Sequence, residues 1–125
     1  MSLIDDIAQD LSNAGLGTVG VNIFKAYLPD KLAEAVAVFD TGGTQPDIYI
    51  PDIKEPTFQV FIRANNYSTG KSRLDSVRTR LHDVVNRTIG QTYFYFIQAI
   101  SEGGHIGRND RGQDEFSINF RAKIR

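Results

Sequence analysis

The chain has 125 residues, the usual size of one domain, with 41% hydrophobic and 23% charged residues, values that exclude a disordered or fibrous polypeptide. It contains no cysteine, which excludes a disulfide framework and a thiolate metal site, and its formal net charge of −1 gives no global field for nucleic acid. No apolar run nears the roughly 20 residues that cross a bilayer, and the first residues are acidic rather than basic and then apolar, so neither a membrane partner nor a signal peptide is expected.

Ser2 and Asp5 resemble a capping box, and Leu3, Ile4, Ile7 and Leu11 recur at helical spacing, which predicts a helix over 3–14 ended by Gly15. Val21, Ile23 and Phe24 read as a short strand that Pro29 stops, residues 33–39 as a second strand, and Asp40-Thr41-Gly42-Gly43 as a turn. Pro46, Pro51 and Pro56 make 44–56 a loop or an edge segment, because proline cannot donate into a ladder. Over 57–64, Phe58, Val60 and Ile62 point one way and Gln59 and Arg63 the other, while Phe61 on that second face implies that both faces are covered.

Leu74, Val77, Leu81, Val84, Val85 and Ile89 carry the strongest helical spacing, with basic residues on the other face, and predict a helix from 68 or 71 to 88, closed by Gly90. Residues 91–100 and 115–124 read as strands, joined through the glycine-rich turn 102–112 into an antiparallel pair. The last strand alternates cleanly, Phe116, Ile118, Phe120, Ala122 and Ile124 inward and Ser117, Asn119, Arg121 and Lys123 outward. The expectation is one α+β domain over 1–125, a mixed and mainly antiparallel sheet of about four to five strands packed against two helices.

Few residues suggest chemistry. Gly15, Gly17 and Gly20 spell G-x-G-x-x-G, but this run follows a helix and precedes a strand, so a phosphate would meet a helix end of the wrong polarity. A helix C-cap and turn explains the three glycines better. His82 and His105 lack a helical metal-site companion; His82 reads as a surface residue, and His105 with a loop aspartate is the hydrolase alternative. Asp40, Asp47 and Asp52 are turn residues rather than a spaced carboxylate pair. No catalytic, metal-binding or cofactor-binding residue is therefore assigned.

Two features suit binding. Lys71, Arg73, Arg78, Arg80 and Arg87 give the second helix a basic face, which allows an alternative reading as a nucleic-acid-binding module over 71–87. Tyr93 to Phe96 alternate as strand residues do, so a base-stacking platform is the lesser reading. Gly107-Arg108-Asn109-Asp110-Arg111-Gly112 is the densest cluster of charged and hydrogen-bonding groups, suited to a salt-bridged turn and to bidentate contacts with carboxylates.

The order of several short elements carries a resemblance. Asp5-Asp6-Ile7-Ala8, Gly15 to Gly17, Asn22-Ile23-Phe24, Leu28-Pro29-Asp30, Phe39-Asp40-Thr41-Gly42-Gly43 and Pro56-Thr57-Phe58-Gln59-Val60 are followed by the 107–112 loop and Glu115-Phe116-Ser117-Ile118-Asn119-Phe120. Across nearly the whole chain this resembles the minor capsid or tail-completion proteins of long-tailed bacteriophages, the tail terminator-like family. The resemblance implies a structural virion protein, not an enzyme and without cofactor. It implies a ring of six copies at the head-proximal end of the tail, which ends tube polymerisation and joins the tail to the head connector.

The implied partners are further copies of the chain, the tail tube protein and the head–tail connector protein, with genomic DNA passing through the ring without sequence-specific binding. Asn109 stands where the family loop would carry a second acidic residue. A closed ring needs two unlike, complementary patches on one protomer. The acidic first helix (Asp6, Asp10) and the basic second helix (Arg78, Arg80) are expected to supply them, together with Tyr49 and Ile50 in the proline-bounded segment and Arg108, Asp110 and Arg111 in the loop.

Overall fold

The fold is set by one sheet whose inner face carries the fully buried Phe58, Phe94, Phe116 and Phe120 and by two helices laid on that face. This computed structural model describes residues 3–28, 34–43, 53–82, 84–100, 103–109 and 111–125. The helices are α1 (Leu3–Asn13) and α2 (Tyr67–His82), and the strands are β1 (Ile23–Lys25), β2 (Ala35–Gly43), β3 (Pro56–Ala64), β4 (Val85–Ile89), β5 (Thr92–Ala99), β6 (Gly104–Arg108) and β7 (Asp114–Ile124).

The expected α+β class, with a mixed and mainly antiparallel sheet on two helices, is what is found. Seven strands replace the four to five expected. Their order is β1-β2-β3-β7-β5-β4, with β6 paired to β7 off that path. Only β1 and β2 run parallel; the other pairings are antiparallel. The long strand β7 is the spine: β3 lies along one side of it, while β6 and β5 share the other, at residues 114–117 and 120–124.

The period-two pattern of β3 and β7 explains the inner face. Phe58, Val60, Ile62, Phe116, Ile118, Phe120 and Ala122 are buried, and Phe58 stacks on Phe120 with ring centroids 5.2 Å apart. Ile7, Ala8 and Leu11 of α1 and Leu74, Val77 and Leu81 of α2 complete this core. Phe24, Ala35 and Ala37 form a smaller cluster joined by Leu28, Phe39 and Phe61, so the second face is covered at β1–β3 as expected. The G-x-G-x-x-G run is indeed a helix cap: Leu16 N–H donates to Leu11 C=O and Gly15 N–H to Ser12 C=O around Gly15 at φ 85°, the Schellman arrangement.

Three expectations of local structure fail. α2 ends at His82 rather than at 88, and Val85–Ile89 is the edge strand β4; Gly90, read as a helix stop, instead opens the two-residue turn between Ile89 and Thr92, where its φ of 61° suits a hairpin. The run 40–43, read as a turn, continues β2 through a bulge between Asp40 and Gly42. Part of the turn 102–112 is a strand, β6, because its backbone pairs with β7 whatever its glycine content. The proline-bounded segment 44–52 lies outside the described residues.

Candidate interaction surfaces

The acidic side of α1 faces the protein itself. Asp6 and Asp10 are only 1% and 4% exposed. Asp10 takes a bidentate contact from Arg80, Nη2 to Oδ1 at 2.8 Å and Nε to Oδ2 at 3.1 Å, and a longer one from Arg87 Nη2 at 3.4 Å. Bonding to Asp10, and then its charge, raises the Arg80 pKa above the ordinary value, against a small opposing effect of burial. Asp6 accepts a hydrogen bond from Thr92 Oγ1 on Oδ2, while its Oδ1 is buried without a partner among the described residues. Asp5 is bonded to Lys25 Nζ at 2.7 Å.

These contacts bear on one expectation. Asp10 and Arg80, expected on mating surfaces of different copies, pair within a single chain, and Asp6 bonds Thr92, because α1 lies against β1, β2 and β4 with these carboxylates turned inward. The basic face of α2 is likewise matched at home, Lys71 with Asp75 and Arg73 with Glu34. Arg78 is half-buried and also engaged.

The β6–β7 hairpin carries a second cluster. Buried Asp114 sits between His105, whose Nε2 is 2.8 Å from Oδ1, and Arg108, whose Nη2 is 3.3 Å from Oδ2. The His105 hydrogen bond, with help from Arg108, holds the Asp114 carboxyl below the ordinary carboxylate range, although burial acts the other way. The His105 ring also lies 5.3 Å from Tyr67 and 5.0 Å from Phe116. At the loop, Asn109 Oδ1 accepts from the N–H groups of Arg111 and Gln113, and Asn109 Nδ2 donates to Gln113 Oε1. Asn109 at this position therefore fixes the loop's shape, an Asx turn that a sequence reading could have found. Arg108 and Arg111 project from it to solvent. Tyr49, Ile50 and Asp110 lie outside the described residues.

His82, expected at the surface, is exposed at the end of α2, where Nδ1 accepts the Ala99 N–H at 3.0 Å. Among the described residues no three His, Asp or Glu side chains gather as a metal set. An open groove runs along α2 against the end of α1, lined by Leu16, Lys71, Ser72, Asp75, Thr79 and Arg80 among others. Exposed large apolar side chains among the described residues are Val21 and Tyr27 flanking β1 and Val85 on β4, at the two opposite ends of the sheet, together with Tyr67 on α2, Ile100 after β5 and Ile106 on β6.

Comparison with known proteins decides the family. The profile of bacteriophage tail terminator proteins matches residues 10–125. The chain belongs to that family. It is accordingly a structural protein of a phage tail, associated with the virion, and it assembles with other tail and head proteins. In three dimensions it is similar to a chain from the virion of a native gene transfer agent particle, with a TM-score of 0.68 over 98% of this chain and 94% of the other at 14% identity. No curated protein matches it in sequence.

Proposed function

We propose that this tail terminator assembles as a closed ring of six copies at the head-proximal end of the tail, where it ends tube polymerisation and joins the tail to the head connector. In this reading the tail tube protein meets one face of the ring, the connector protein meets the other, and DNA passes through the opening without sequence-specific contact. The ring sits in the finished virion and is built in the host cytoplasm.

Membership of the family supports the role. The structural observation that carries the ring is the pair of unlike sheet ends. β1 with Val21 and Tyr27 is one end, where Val19 bridges the outer edge at Ile23, and β4 with Val85 is the other, whose outer edge is unpaired among the described residues. An unpaired edge beside an exposed apolar side chain is a surface that a partner covers. Two different surfaces on one protomer give heterologous contacts, which close into a ring when the rotation fits. The arginine loop 107–112, which is shaped before any partner arrives, offers a third contact suited to carboxylates of the tube or connector.

The test is the particle mass by light scattering, with negative-stain images, for the natural chain and for Val85→Asp. The natural chain of 13.9 kDa should form rings of six protomers, alone or on tail tubes. Val85→Asp should fold normally and stay monomeric, because Val85 is exposed in the protomer. Unchanged rings in this variant would remove β4 from the interface, and a natural chain that never closes, even with tubes, would refute the ring.

A further inference from the structure

The outer face of β7 treats its charges differently at its two ends. At one end Glu115 meets Arg63 on β3, with Arg63 Nε 3.1 Å from Oε2. At the other end Arg121 has no carboxylate partner among the described residues. Its Nη2 donates to the neutral amide oxygen of Gln98 at 2.9 Å, its guanidinium lies 5.6 Å over the Phe96 ring, and its Nε is buried without a partner among the described residues. A guanidinium pinned by neutral groups on a half-buried surface keeps its full charge and most of its five donors unused.

Lys123 and Arg125 extend the same face. Alternation along the strand puts 121, 123 and 125 on one side, spaced by about 6.7 Å per two residues. Lys123 stands opposite Phe96 in the register and reaches Glu55 only at 3.9 Å. Arg125 continues the pairing through its N–H to Tyr93 C=O, and its exposed side chain has no ion-pair partner among the described residues. Tyr93 and Tyr95 pack edge to face beside the row, 5.1 Å apart. Both helices lie on the opposite face of the sheet here, so no described helix covers the row.

We propose that the row Arg121, Lys123 and Arg125 is a contact for the phosphate backbone of duplex DNA. One carboxylate would satisfy Arg121 and leave the other two cations repelling each other, whereas an evenly spaced line of like charges is matched by a linear polyanion. Arginine laid on an aromatic ring is suited to phosphate. The contact is to phosphates, which position a protein on the duplex and carry no base sequence directly. It also moves the nucleic-acid contact from the basic face of α2 to the open face of the sheet, where Arg121 and Arg125 have no carboxylate partner among the described residues and Lys123 has only the 3.9 Å contact with Glu55. The row is complete on one protomer, so the contact does not depend on ring closure.

The test is fluorescence anisotropy of a labelled duplex of random sequence, titrated with the full chain, with light scattering in parallel to record its oligomeric state. Three phosphate contacts predict binding that weakens roughly 40-fold as monovalent salt rises fourfold. Arg121→Gln/Lys123→Gln should remove most of that binding and flatten the salt dependence to about one contact. Arg125→Gln, at an exposed position, should flatten it in part without any effect on folding. Lys71→Gln/Arg73→Gln on α2 should bind like the natural chain. Three results would overturn the proposal: no binding by the natural chain at low salt, binding lost with the α2 variant but kept by the row variants, or a polyglutamate peptide bound as tightly as the duplex. The last would assign the row to an acidic protein partner.

Discussion

Gly70→Ala opposes two effects whose magnitudes can be set against each other. On helix propensity alone, alanine in the first half of α2 should stabilise the protein by about 1 kcal/mol. But Gly70 rests directly on the Phe116 ring, and a methyl group there would fall inside it, with Cδ1 only 2.8 Å from the new carbon. Phe116 cannot swing aside, because it is fully buried beneath α2, beside Ile62 of β3 in the sheet, with Tyr67 and His105 against its ring. Overpacking of this kind costs about 1–3 kcal/mol, and so close an approach belongs at the upper end. The net expectation is a loss of about 2 kcal/mol, a fall in Tm of roughly 6–10 °C for a chain of this size. Thermal unfolding followed by circular dichroism measures it, with Ser72→Ala, on the exposed side of α2, as the propensity control that should rise slightly. Phe116→Leu combined with Gly70→Ala should recover part of the loss, a coupling that only direct contact produces. A Tm equal to or above that of the natural chain in Gly70→Ala would show that α2 does not sit on β7 as described.

Two further outcomes follow from the buried carboxylates. Asp10→Ala strands Arg80 and Arg87 beside α1; because both arginines are partly exposed, the cost should be about 2 kcal/mol rather than the larger figure for a fully buried pair, read as a lower urea midpoint. Asp114 has a folded pKa below its unfolded value of about 3.9. Its contribution is therefore present above that value and is lost as pH falls through the lower, folded one. Urea midpoints between pH 5 and pH 2 should drop less steeply in Asp114→Asn, and an unaltered slope would mean that the His105 contact does not hold the charge.

Legibility tracked how far a residue's pattern was decided by its own neighbours. β7 and β3 were readable because one face of each is core and the period of two survives over most of the strand, up to Ile62 in β3. The end of α2 was not, since Val84 and Val85 continue the helical spacing set by Leu74, Val77 and Leu81, and the pattern of a short edge strand is too brief to compete. The β-branched Val85, Thr88 and Ile89 followed by Gly90-Gln91 were the missed hairpin signal. β6 escaped for the opposite reason: Gly103, Gly104 and Gly107 look like a turn, and only the long-range ladder to β7 makes a strand of them. Composition revealed that the first helix is acidic and the second basic, yet no local signal tells whether two opposite charges meet within a chain or between copies.

That last ambiguity has a structural resolution in α1. The helix touches both ends of a curled sheet: Asp5 bonds Lys25 on β1, while Asp10 bonds Arg87 on β4 and Asp6 takes the Thr92 hydroxyl at the start of β5. Its apolar side, Ile7, Ala8 and Leu11, closes the core between them. The acidic residues are therefore a clasp that fixes the distance between the two sheet ends, and those ends are the surfaces proposed to meet neighbouring copies. Fixing their relative angle on each protomer is what a closed ring requires, since small angular errors add from copy to copy and an unclosed rotation yields a helix instead. On this reasoning the charges read as mating surfaces still bear on assembly, through the shape they impose on the protomer rather than through contact with a partner.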